Sequence, residues 1–368
     1  MNKRCVAVLG WQDKPTDAVE EYCQYLSGAL AVHGLRLELI RMRWPEIGWS
    51  RALQDLRKET RDARNTWFLL QYTALAWSRR GFPLRVLSVI RALKKNGARC
   101  AVVFHDAGPY LGNRLVDKVR RTVQLHTMRK ATRLADLTIL TVPKERLLWV
   151  PKDLRSVTFI PVGANLPFPE EAWHLKNKND NDMLTVAVFS ITVSSGALGG
   201  EAVRRVAAAM HYASEKMGPL RLAVLGRNSE IGGKLLQGML AGSQVEVVIH
   251  GLLGAEEVVR KLGASDVLLF ASGPISSQRG SAIAGIACGL PVVACAGSET
   301  APPITEAGVE LLAEDSKNEY GPALVRVLSD DDYRASLRAR SRQAQQQDFS
   351  WTAIAAQYAA ALREAGED

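Results

Sequence analysis

Residues 265–294 read SDVLLFASGPISSQRGSAIAGIACGLPVVA, and the order of apolar, glycine-rich and small residues in this stretch indicates the fold class. Val267–Phe270 is a short apolar run of strand type, and a loop rich in Gly, Pro and Ser follows at 272–280. Residues 281–288 are a helix of small side chains, which a glycine ends before a Pro-Val-Val run opens the next strand. Two buried parallel strands joined by a helix form a βαβ unit, so the stretch predicts a doubly wound α/β sheet.

The loop of this unit is a candidate anion site. It lies at the carboxyl edge of the predicted sheet, where doubly wound folds bind their ligands. The backbone N–H groups of Gly280 and Ser281 would lie at a helix N-terminus, which attracts phosphate, and Arg279 adds a positive charge beside them. Ser276 and Ser277 stand in the same loop. We therefore predict that these five residues bind a phosphate-bearing ligand.

Several segments together resemble one family. ACGLPVVA at 287–294 resembles the ACGxPVVA segment of the family 4 glycosyltransferases of GT-B fold. The other matching segments are DAVEEYCQYLSGALAVHG (17–34), LQYTALAWSRRGFP (70–83), VVFHDAGP (102–109), PVGANLP (161–167) and FSW (349–351) with the helix after it. The resemblance implies an α/β protein of GT-B fold, in which two Rossmann-like doubly wound domains face a cleft and a C-terminal helix crosses back to the N-terminal domain.

The predicted domains follow from this resemblance and from a change in composition. Residues 168–183 lose their hydrophobic pattern and gain charge, which is typical of a linker. We expect an N-terminal acceptor-binding domain at 1–167 and a nucleotide-sugar-binding domain at 184–348. The helix that crosses back would occupy 349–368.

The chain departs from the family in the predicted donor site. The family carries two glutamates eight residues apart, and the corresponding positions here are Ser276 and Ala284. The family also has a basic residue after the first strand of the second domain, whereas residues 190–196 contain neither Lys nor Arg. Arg227 is a candidate substitute for that phosphate contact, although an exposed loop arginine is an equally good interpretation. By resemblance, the nucleotide base would be held near His250 and Gly251.

The resemblance also places acceptor and sugar contacts in the first domain. His105 ends a predicted buried strand, where the family has a histidine near the transferred sugar, although a lone histidine is often structural. Asp106 would either orient His105 or cap the next turn, and we assign this pair as the catalytic candidates. The acceptor-binding candidates are Asp17, which is also a plausible helix N-cap, together with Tyr72, Arg79 and Arg80.

Composition narrows the class of protein. The 368 residues suffice for two domains, and 47% hydrophobic with 23% charged residues is typical of a globular protein. No apolar run approaches the roughly 20 residues of a membrane span, and we expect no signal peptide. The five cysteines are scattered, without metal-binding spacing, and suit a reducing cytoplasm.

Charge is distributed unevenly along the chain. Residues 1–170 hold 29 Lys and Arg against 15 Asp and Glu, whereas the remainder holds 18 against 23. This asymmetry suggests that the first domain faces an anionic partner, namely nucleic acid, the inner face of a membrane or an anionic lipid acceptor. A basic amphipathic helix at 113–134 suits a membrane surface, and a solvated basic face is the plain alternative.

The resemblance implies a glycosyltransferase that transfers a sugar with retention from a nucleotide-sugar co-substrate, without a metal or another cofactor. The acceptor would be a glycan or a lipid-linked molecule in cell-surface polysaccharide synthesis, handled in the cytoplasm or peripherally on the membrane. The alternative is a glycosyltransferase-like protein without catalysis that regulates an active enzyme. A dinucleotide-dependent enzyme is disfavoured because no G-x-G-x-x-G follows the first strand, and no nucleic-acid recognition motif is present.

Overall fold

The structure of the protein is a computed structural model. The structure describes residues 3–11, 16–61, 63–64, 66–110, 112, 114–154, 156–175, 183–191, 197–227, 229–314, 316 and 319–367. The chain forms two compact units, of which unit 1 comprises residues 1–162 and 351–368 and unit 2 comprises residues 163–350. No helix within the described residues is long and apolar enough to cross a membrane.

Unit 1 is built on a six-stranded parallel sheet. Its strands are β1 (Lys3–Leu9), β2 (Leu35–Arg41), β3 (Trp67–Tyr72), β4 (Arg99–Phe104), β5 (Leu137–Leu140) and β6 (Val157–Phe159). Its helices are α1 (Ala18–Leu30), α2 (Trp44–Ile47), α3 (Trp49–Glu59), α4 (Val86–Lys95), α5 (Leu115–Leu134) and α12 (Trp351–Glu367). The spatial strand order is β2-β1-β3-β4-β5-β6. Every residue of β3 is buried, as expected for a central strand that helices cover on both faces.

Unit 2 is built on a second six-stranded parallel sheet. Its strands are β7 (Thr185–Phe189), β8 (Leu220–Leu225), β9 (Val245–Gly251), β10 (Val267–Phe270), β11 (Val292–Cys295) and β12 (Val309–Leu312). Its helices are α6 (Ala197–Met217), α7 (Ser229–Met239), α8 (Ala255–Gly263), α9 (Gly280–Ala287), α10 (Tyr320–Ser329) and α11 (Asp331–Ala344). The spatial order is β12-β11-β10-β7-β8-β9, the Rossmann arrangement with β7 and β10 at its centre.

The βαβ unit predicted from residues 265–294 is confirmed. β10 pairs in parallel with β11, with Leu268 opposite Val292, and α9 connects them. The small residues of α9 allow this helix to lie close on the sheet, because a Cβ atom at Gly285 would collide with the side chain of Leu268. Gly289 ends the helix with a left-handed φ of 72°.

The cap and stop predicted for the first helix are also confirmed. Asp17 is the N-cap of α1, and its Oδ1 atom accepts hydrogen bonds from the N–H groups of Val19 (3.1 Å) and Glu20 (3.2 Å). After α1 a single 3₁₀ turn ends at Gly34, whose φ is 69°.

The structure moves the boundary of the predicted linker. Residues 163–175 belong to unit 2, because a 3₁₀ turn at Pro169–His174 packs on that unit. The indole N–H of Trp173 donates to Ala287 O (2.8 Å), and a Cβ atom at Gly263 would lie 3.0 Å from Ala172. Of the predicted linker, residues 176–182 lie outside the described residues.

The C-terminal helix returns to the first unit, as predicted, and α12 begins at Trp351 rather than at 349. The ring of Trp351 stacks on Tyr25 at 5.5 Å, and the hydroxyl of Tyr22 donates to that of Tyr358 at 3.0 Å. The guanidinium of Arg99 also donates to Gly366 O at 2.5 Å. These contacts attach α12 to α1 and to the amino end of β4.

Candidate functional site

The topology of each sheet identifies one crevice. In an open α/β sheet, ligands bind at the carboxyl ends of the two strands between which the strand order reverses. In unit 1 these strands are β1 and β3, and in unit 2 they are β7 and β10. The site residues that the sequence predicts lie at or just after the carboxyl ends of strands β1, β3 and β4 in unit 1 and of β8, β9 and β10 in unit 2.

His105 follows β4 at the carboxyl edge of unit 1, and its ring is held from two sides. Its Nε2 atom lies 2.7 Å from Gln71 Oε1, and the ring of Tyr22 meets it edge-on at 4.9 Å. The amide nitrogen of Gln71 donates to Leu69 O, so the amide oxygen faces the imidazole and accepts from Nε2–H. This bond leaves Nδ1 of His105 as the unprotonated acceptor.

His105 is uncharged near neutral pH. Burial lowers the pKa of His105 to about 4, although the nearby charge of Asp17 acts in the opposite direction. The ring can therefore accept a hydrogen bond from a ligand hydroxyl at Nδ1, but it does not supply a positive charge.

Asp106 joins two loops of the same edge. Its Oδ2 atom accepts the N–H of Ala74 at 3.0 Å, which ties the end of β4 to the loop after β3. Its carboxylate is exposed, at the edge where acceptor contacts are predicted.

Tyr72 departs from the predicted role of an acceptor contact. Its side chain is buried in the core of unit 1 and packs on Phe104, with ring centroids 4.9 Å apart. No residue in the described part of the chain makes a hydrogen bond to its hydroxyl. Burial, with the charge of Asp106, raises the pKa of Tyr72, so the hydroxyl stays protonated.

Both carboxylate oxygens of Asp17 accept hydrogen bonds from other groups of the protein. One carboxylate oxygen caps α1, and the other accepts from Arg41 Nη2 at 3.0 Å. The same nitrogen of Arg41 reaches Glu20 at 2.8 Å, and Nη1 donates to Gly10 O. Asp17 therefore fixes the loop after β1 through Arg41, and the cap explains why the residue is there.

Arg79 lies beside the loop after β1. Its guanidinium carbon is 5.7 Å from the ring centroid of Trp11, and both side chains are exposed. The two loops touch through the backbone, because Trp11 N–H donates to Ala76 O at 2.7 Å and a Cβ atom at Gly10 would collide with that oxygen. Arg80 is also exposed, and its carbonyl accepts from Arg120 Nε at 3.0 Å. The structure thus brings Arg79 and Arg80 to one edge with His105 and Asp106.

In unit 2 the ends of β7, β8 and β9 are packed tightly. Gly226 follows β8 with φ 102°, and a Cβ atom there would lie 2.9 Å from both N and Oγ of Ser190. Ser190 itself has φ 60°, an uncommon backbone conformation for a residue other than glycine. Gly251 closes β9 with φ 73°, and a Cβ atom there would lie 2.7 Å from Glu230 Oε1. Residues 192–196 of the predicted phosphate loop lie outside the described residues.

The loop after β10 offers fewer free amides than the sequence predicts. The N–H of Gly280 donates to Gln278 O at 3.2 Å, because the loop turns back on itself before α9. The N–H of Ser281 is left without a partner among the described residues. Arg279 is exposed at the N-cap of α9, and no side chain caps this helix. One amide, the helix dipole and one guanidinium therefore remain for an anion.

Two buried hydroxyls stand unsatisfied at this edge. Ser276 precedes α9 and Ser229 begins α7, both at most 1% exposed, and neither Oγ atom has a partner in the described part of the chain. Unpartnered buried polar groups are uncommon in native proteins, and a water, an ion or a ligand commonly supplies the partner. Ser277 is equally buried and has a partner.

Arg227 and His250 lie on neighbouring loops of the same edge. Arg227 follows Gly226 and is half-buried, with interactions of its own. His250 is half-buried at the end of β9, and burial, with the charge of Lys261, lowers its pKa. Gly251 follows His250, and its carbonyl oxygen accepts a hydrogen bond from the N–H of Gly226 at 2.9 Å, which joins the ends of β8 and β9.

Sequence reasoning did not single out Arg205. This α6 residue pairs with Glu201 at 2.7 Å, and its buried Nε atom has no partner among the described residues. Its charge acts on Tyr320, whose hydroxyl donates to Phe270 O (3.4 Å) at the carboxyl end of β10. The Glu201–Arg205 spacing of four residues, directly after the predicted phosphate loop, was the available signal.

Comparison with solved structures identifies the fold. HepE of Anabaena, in a complex with UDP and glucose, matches with a TM-score of 0.64 at 14% identity, covering 98% of this chain and 100% of that one. A glycosyltransferase from Rickettsia africae matches with a TM-score of 0.68 at 14% identity, covering 99% of this chain and 98% of that one. Sucrose-phosphate synthase from Thermosynechococcus elongatus matches with 0.65 at 19% identity, covering 98% of both chains.

These similarities, at 14–19% identity, establish the fold. The chain has the two-domain GT-B fold, as the sequence predicts. No protein-family model matches the sequence, and a search of curated proteins also found no match. Membership of family 4 therefore remains a resemblance carried by the sequence motifs.

Proposed function

We propose that the protein is a nucleotide-sugar-dependent glycosyltransferase in which unit 2 binds the donor and unit 1 binds the acceptor. The observation that carries this proposal is the set of unsatisfied polar groups at the carboxyl edge of unit 2. Ser229 Oγ and Ser276 Oγ are buried without a partner among the described residues, the N–H of Ser281 is likewise unpaired there, and all three stand on segments that follow β8 and β10. A diphosphate supplies the acceptor oxygens that these three donors lack.

In the proposed reaction, the bond between the anomeric carbon and the diphosphate oxygen breaks, and an acceptor hydroxyl oxygen bonds to that carbon with retention. The hydroxyl proton passes to the departing diphosphate. Negative charge grows on the diphosphate as it leaves, and Arg279, Ser281 N–H and the dipole of α9 stabilise it. The neutral His105 accepts a hydrogen bond from a sugar hydroxyl at Nδ1 and so orients the sugar.

The first donors to examine are UDP-sugars. HepE has been crystallised with UDP-glucose, and another GT-B structure, a trehalose-phosphate synthase from Burkholderia xenovorans, is described as UDP-forming. We propose an anionic or lipid-linked acceptor because Arg79 and Arg80 are exposed at the acceptor edge and residues 1–170 are strongly basic. By family resemblance, the setting is cell-surface polysaccharide synthesis on the cytoplasmic side of a membrane, and the reaction uses no cofactor beyond the nucleotide-sugar.

Donor turnover tests the proposal. The purified protein is incubated with UDP-, GDP-, ADP- and TDP-sugars, and released nucleoside diphosphate is measured with and without membrane lipid extract. We expect turnover of the sugars linked to one of these four nucleotides and not of the others. Arg279→Ala should weaken binding of the diphosphate by about tenfold while leaving binding of the nucleoside nearly unchanged, because the lost contact is to phosphate. Arg260→Ala, an exposed arginine on α8, is the matched control. Equal loss for nucleoside and diphosphate would remove Arg279 from the phosphate site.

A second candidate is a glycosyltransferase-like partner or regulator without catalysis. The observation that favours it is the replacement of both family glutamates, since Ser276 is not acidic and Ala284 is buried within α9. Binding of a nucleoside diphosphate without turnover of any donor, in the presence of acceptor extract, would support this candidate over the enzyme.

A further inference from the structure

We propose that the first two turns of α5 dock on the surface of an anionic lipid bilayer. We call this surface the α5 tip and define it by Tyr110, Arg114, Leu115, Val116, Lys118, Val119 and Arg121. The proposal concerns a binding surface of unit 1 and does not depend on glycosyl transfer by the protein.

Apolar side chains of the α5 tip stand in water. Leu115 is 80% exposed, Val119 57% and Val116 47%, and Tyr110 beside them is 55% exposed. Val119 lies three residues after Val116 and four after Leu115, so its side chain is next to both of theirs on one side of the helix. A group of exposed aliphatic side chains on one helix face marks an interaction site rather than ordinary surface.

The orientation of the helix is fixed, so this apolar face cannot turn inward. Gln124 is buried, accepts the N–H of Tyr110 at 2.8 Å and donates to Gly81 O at 2.9 Å. Arg120 points the same way, because it pairs with the buried Asp117 at 2.6 Å and lies 5.1 Å from the ring centroid of Tyr110. The inward face thus satisfies its polar groups within the protein.

Positive charge accompanies the apolar face. Arg114, Lys118 and Arg121 are exposed, and none has an ion-pair partner among the described residues. The nearest carboxylate on the helix, Asp117, is already neutralised by Arg120. The α5 tip therefore presents three cations in the same two turns as its exposed Leu and Val side chains.

This combination fits an anionic bilayer. Cations attract acidic headgroups, and the aliphatic side chains enter the boundary between headgroups and acyl chains. A nucleic acid would use the cations and leave Leu115, Val116 and Val119 in water. The location also suits a lipid-linked acceptor, because α5 begins at the carboxyl edge of its sheet, where His105, Arg79 and Arg80 also lie. This link to an acceptor rests on the proposed function, whereas docking on the bilayer does not.

Vesicle co-sedimentation of the full chain tests the proposal. We expect binding to vesicles of phosphatidylcholine with about 30% phosphatidylglycerol, and little binding to phosphatidylcholine alone. The double variant Leu115→Glu/Val119→Glu should weaken binding at least tenfold, as should Lys118→Glu/Arg121→Glu. Leu148→Glu, at a residue 98% exposed elsewhere in unit 1, is the apolar control. Arg51→Glu/Lys58→Glu on α3 changes the charge equally and is the electrostatic control.

Four results would overturn the proposal. Absence of binding to the anionic vesicles is the first. Equal losses in the control variants are the second, since binding would then reflect net charge. Full binding by Leu115→Glu/Val119→Glu is the third, because the apolar face would then contribute nothing to binding. The fourth is that RNA displaces the protein from the vesicles by binding the same cations, and that RNA binding does not require Leu115. Nucleotide titration of the same variants, which leave unit 2 untouched, keeps a failure here separate from a failure of the proposed function.

Discussion

The carboxyl edges of the two sheets differ in how far the protein satisfies its own polar groups. In unit 1, Asp17 is paired twice, His105 is held by Gln71, and Asp106 accepts the N–H of Ala74. In unit 2, Ser229 Oγ and Ser276 Oγ are buried and unpartnered among the described residues. The buried hydroxyl of Tyr72, also unpartnered among the described residues, is an exception in unit 1. The difference teaches that the protein itself holds the carboxylates and the imidazole at the edge of unit 1, whereas unit 2 keeps two buried hydroxyls for a hydrogen-bond acceptor.

The contrast extends to the backbone. Unit 2 brings Ser190 and Gly226 so close that only a glycine fits at 226, and Ser190 has a positive φ. Strained backbone beside a ligand crevice is common where the surroundings determine the conformation. Three predictions test this comparison.

The largest effect is expected from Gly226→Ala. The new Cβ atom would lie 2.9 Å from Ser190 N, and alanine at φ 102° is itself strained. Gly242→Ala is the matched control, because Gly242 also has positive φ (81°) but nothing within 4 Å of its Cβ position. We expect Gly226→Ala to lower the free energy of unfolding by about 2 kcal/mol more than the control, measured by urea unfolding, and to abolish binding of the nucleoside diphosphate. Equal effects of the two variants would mean that the Ser190 contact is unimportant.

The next effect concerns His105 and the preformed edge of unit 1. Its pKa is about 4 in the folded protein against an ordinary 6.5, so between these pH values the unfolded chain binds a proton that the folded chain does not. The stability of unit 1 should therefore fall as the pH falls from 6.5 to 4, by up to about 1.4 kcal/mol per pH unit. His105→Gln should flatten this dependence.

Tryptophan fluorescence during urea unfolding is the suitable measurement, because seven of the eight tryptophans lie in unit 1. His126→Gln, at an exposed position of α5, is the control. An unchanged pH dependence in His105→Gln would show that the imidazole is not held neutral by burial.

The smallest effect distinguishes an unsatisfied serine from a satisfied one. Ser276→Ala removes a buried hydroxyl without a partner, so it should raise the stability of the free protein by up to about 1 kcal/mol and weaken diphosphate binding several-fold. Ser265→Ala, also buried, removes a hydroxyl that donates to Lys261 O at 2.9 Å, so it should lower stability and leave binding unchanged. Calorimetric titration with thermal unfolding measures both. The unit 2 account fails if both serines behave alike.

Local patterns in the sequence predicted much of the fold. The Asp17 cap, the Gly34 and Gly289 stops and the strand of β10 are all determined within a few residues, and the structure confirms them. The GT-B architecture was implied by the resemblance of motifs along the chain to family 4 glycosyltransferases, and the similarity to solved structures confirms it. By contrast, local patterns did not predict α7, whose three glycines weaken its helix signal, or the short strand β12.

The site was less predictable because its details depend on distant contacts. The pairing of Asp17 with Arg41 joins residues 24 positions apart, and the buried side chain of Tyr72 is determined by how its strand packs. The N–H of Gly280 is lost to Gln278 through the shape of a loop, which composition does not encode. Arg205 stands inside a helix, so only the packing of α6 brings its charge to the sheet edge.

The most direct measurement is calorimetric titration of the protein with UDP, GDP, ADP and TDP, without added metal. The account predicts binding of one of them, UDP first, with a favourable enthalpy from hydrogen bonds donated by Ser229 Oγ, Ser276 Oγ and the N–H of Ser281. It also predicts that the matching nucleoside binds at least tenfold more weakly. Absence of binding by all four, or equal binding of nucleoside and diphosphate, would contradict the assignment of unit 2 as a diphosphate site.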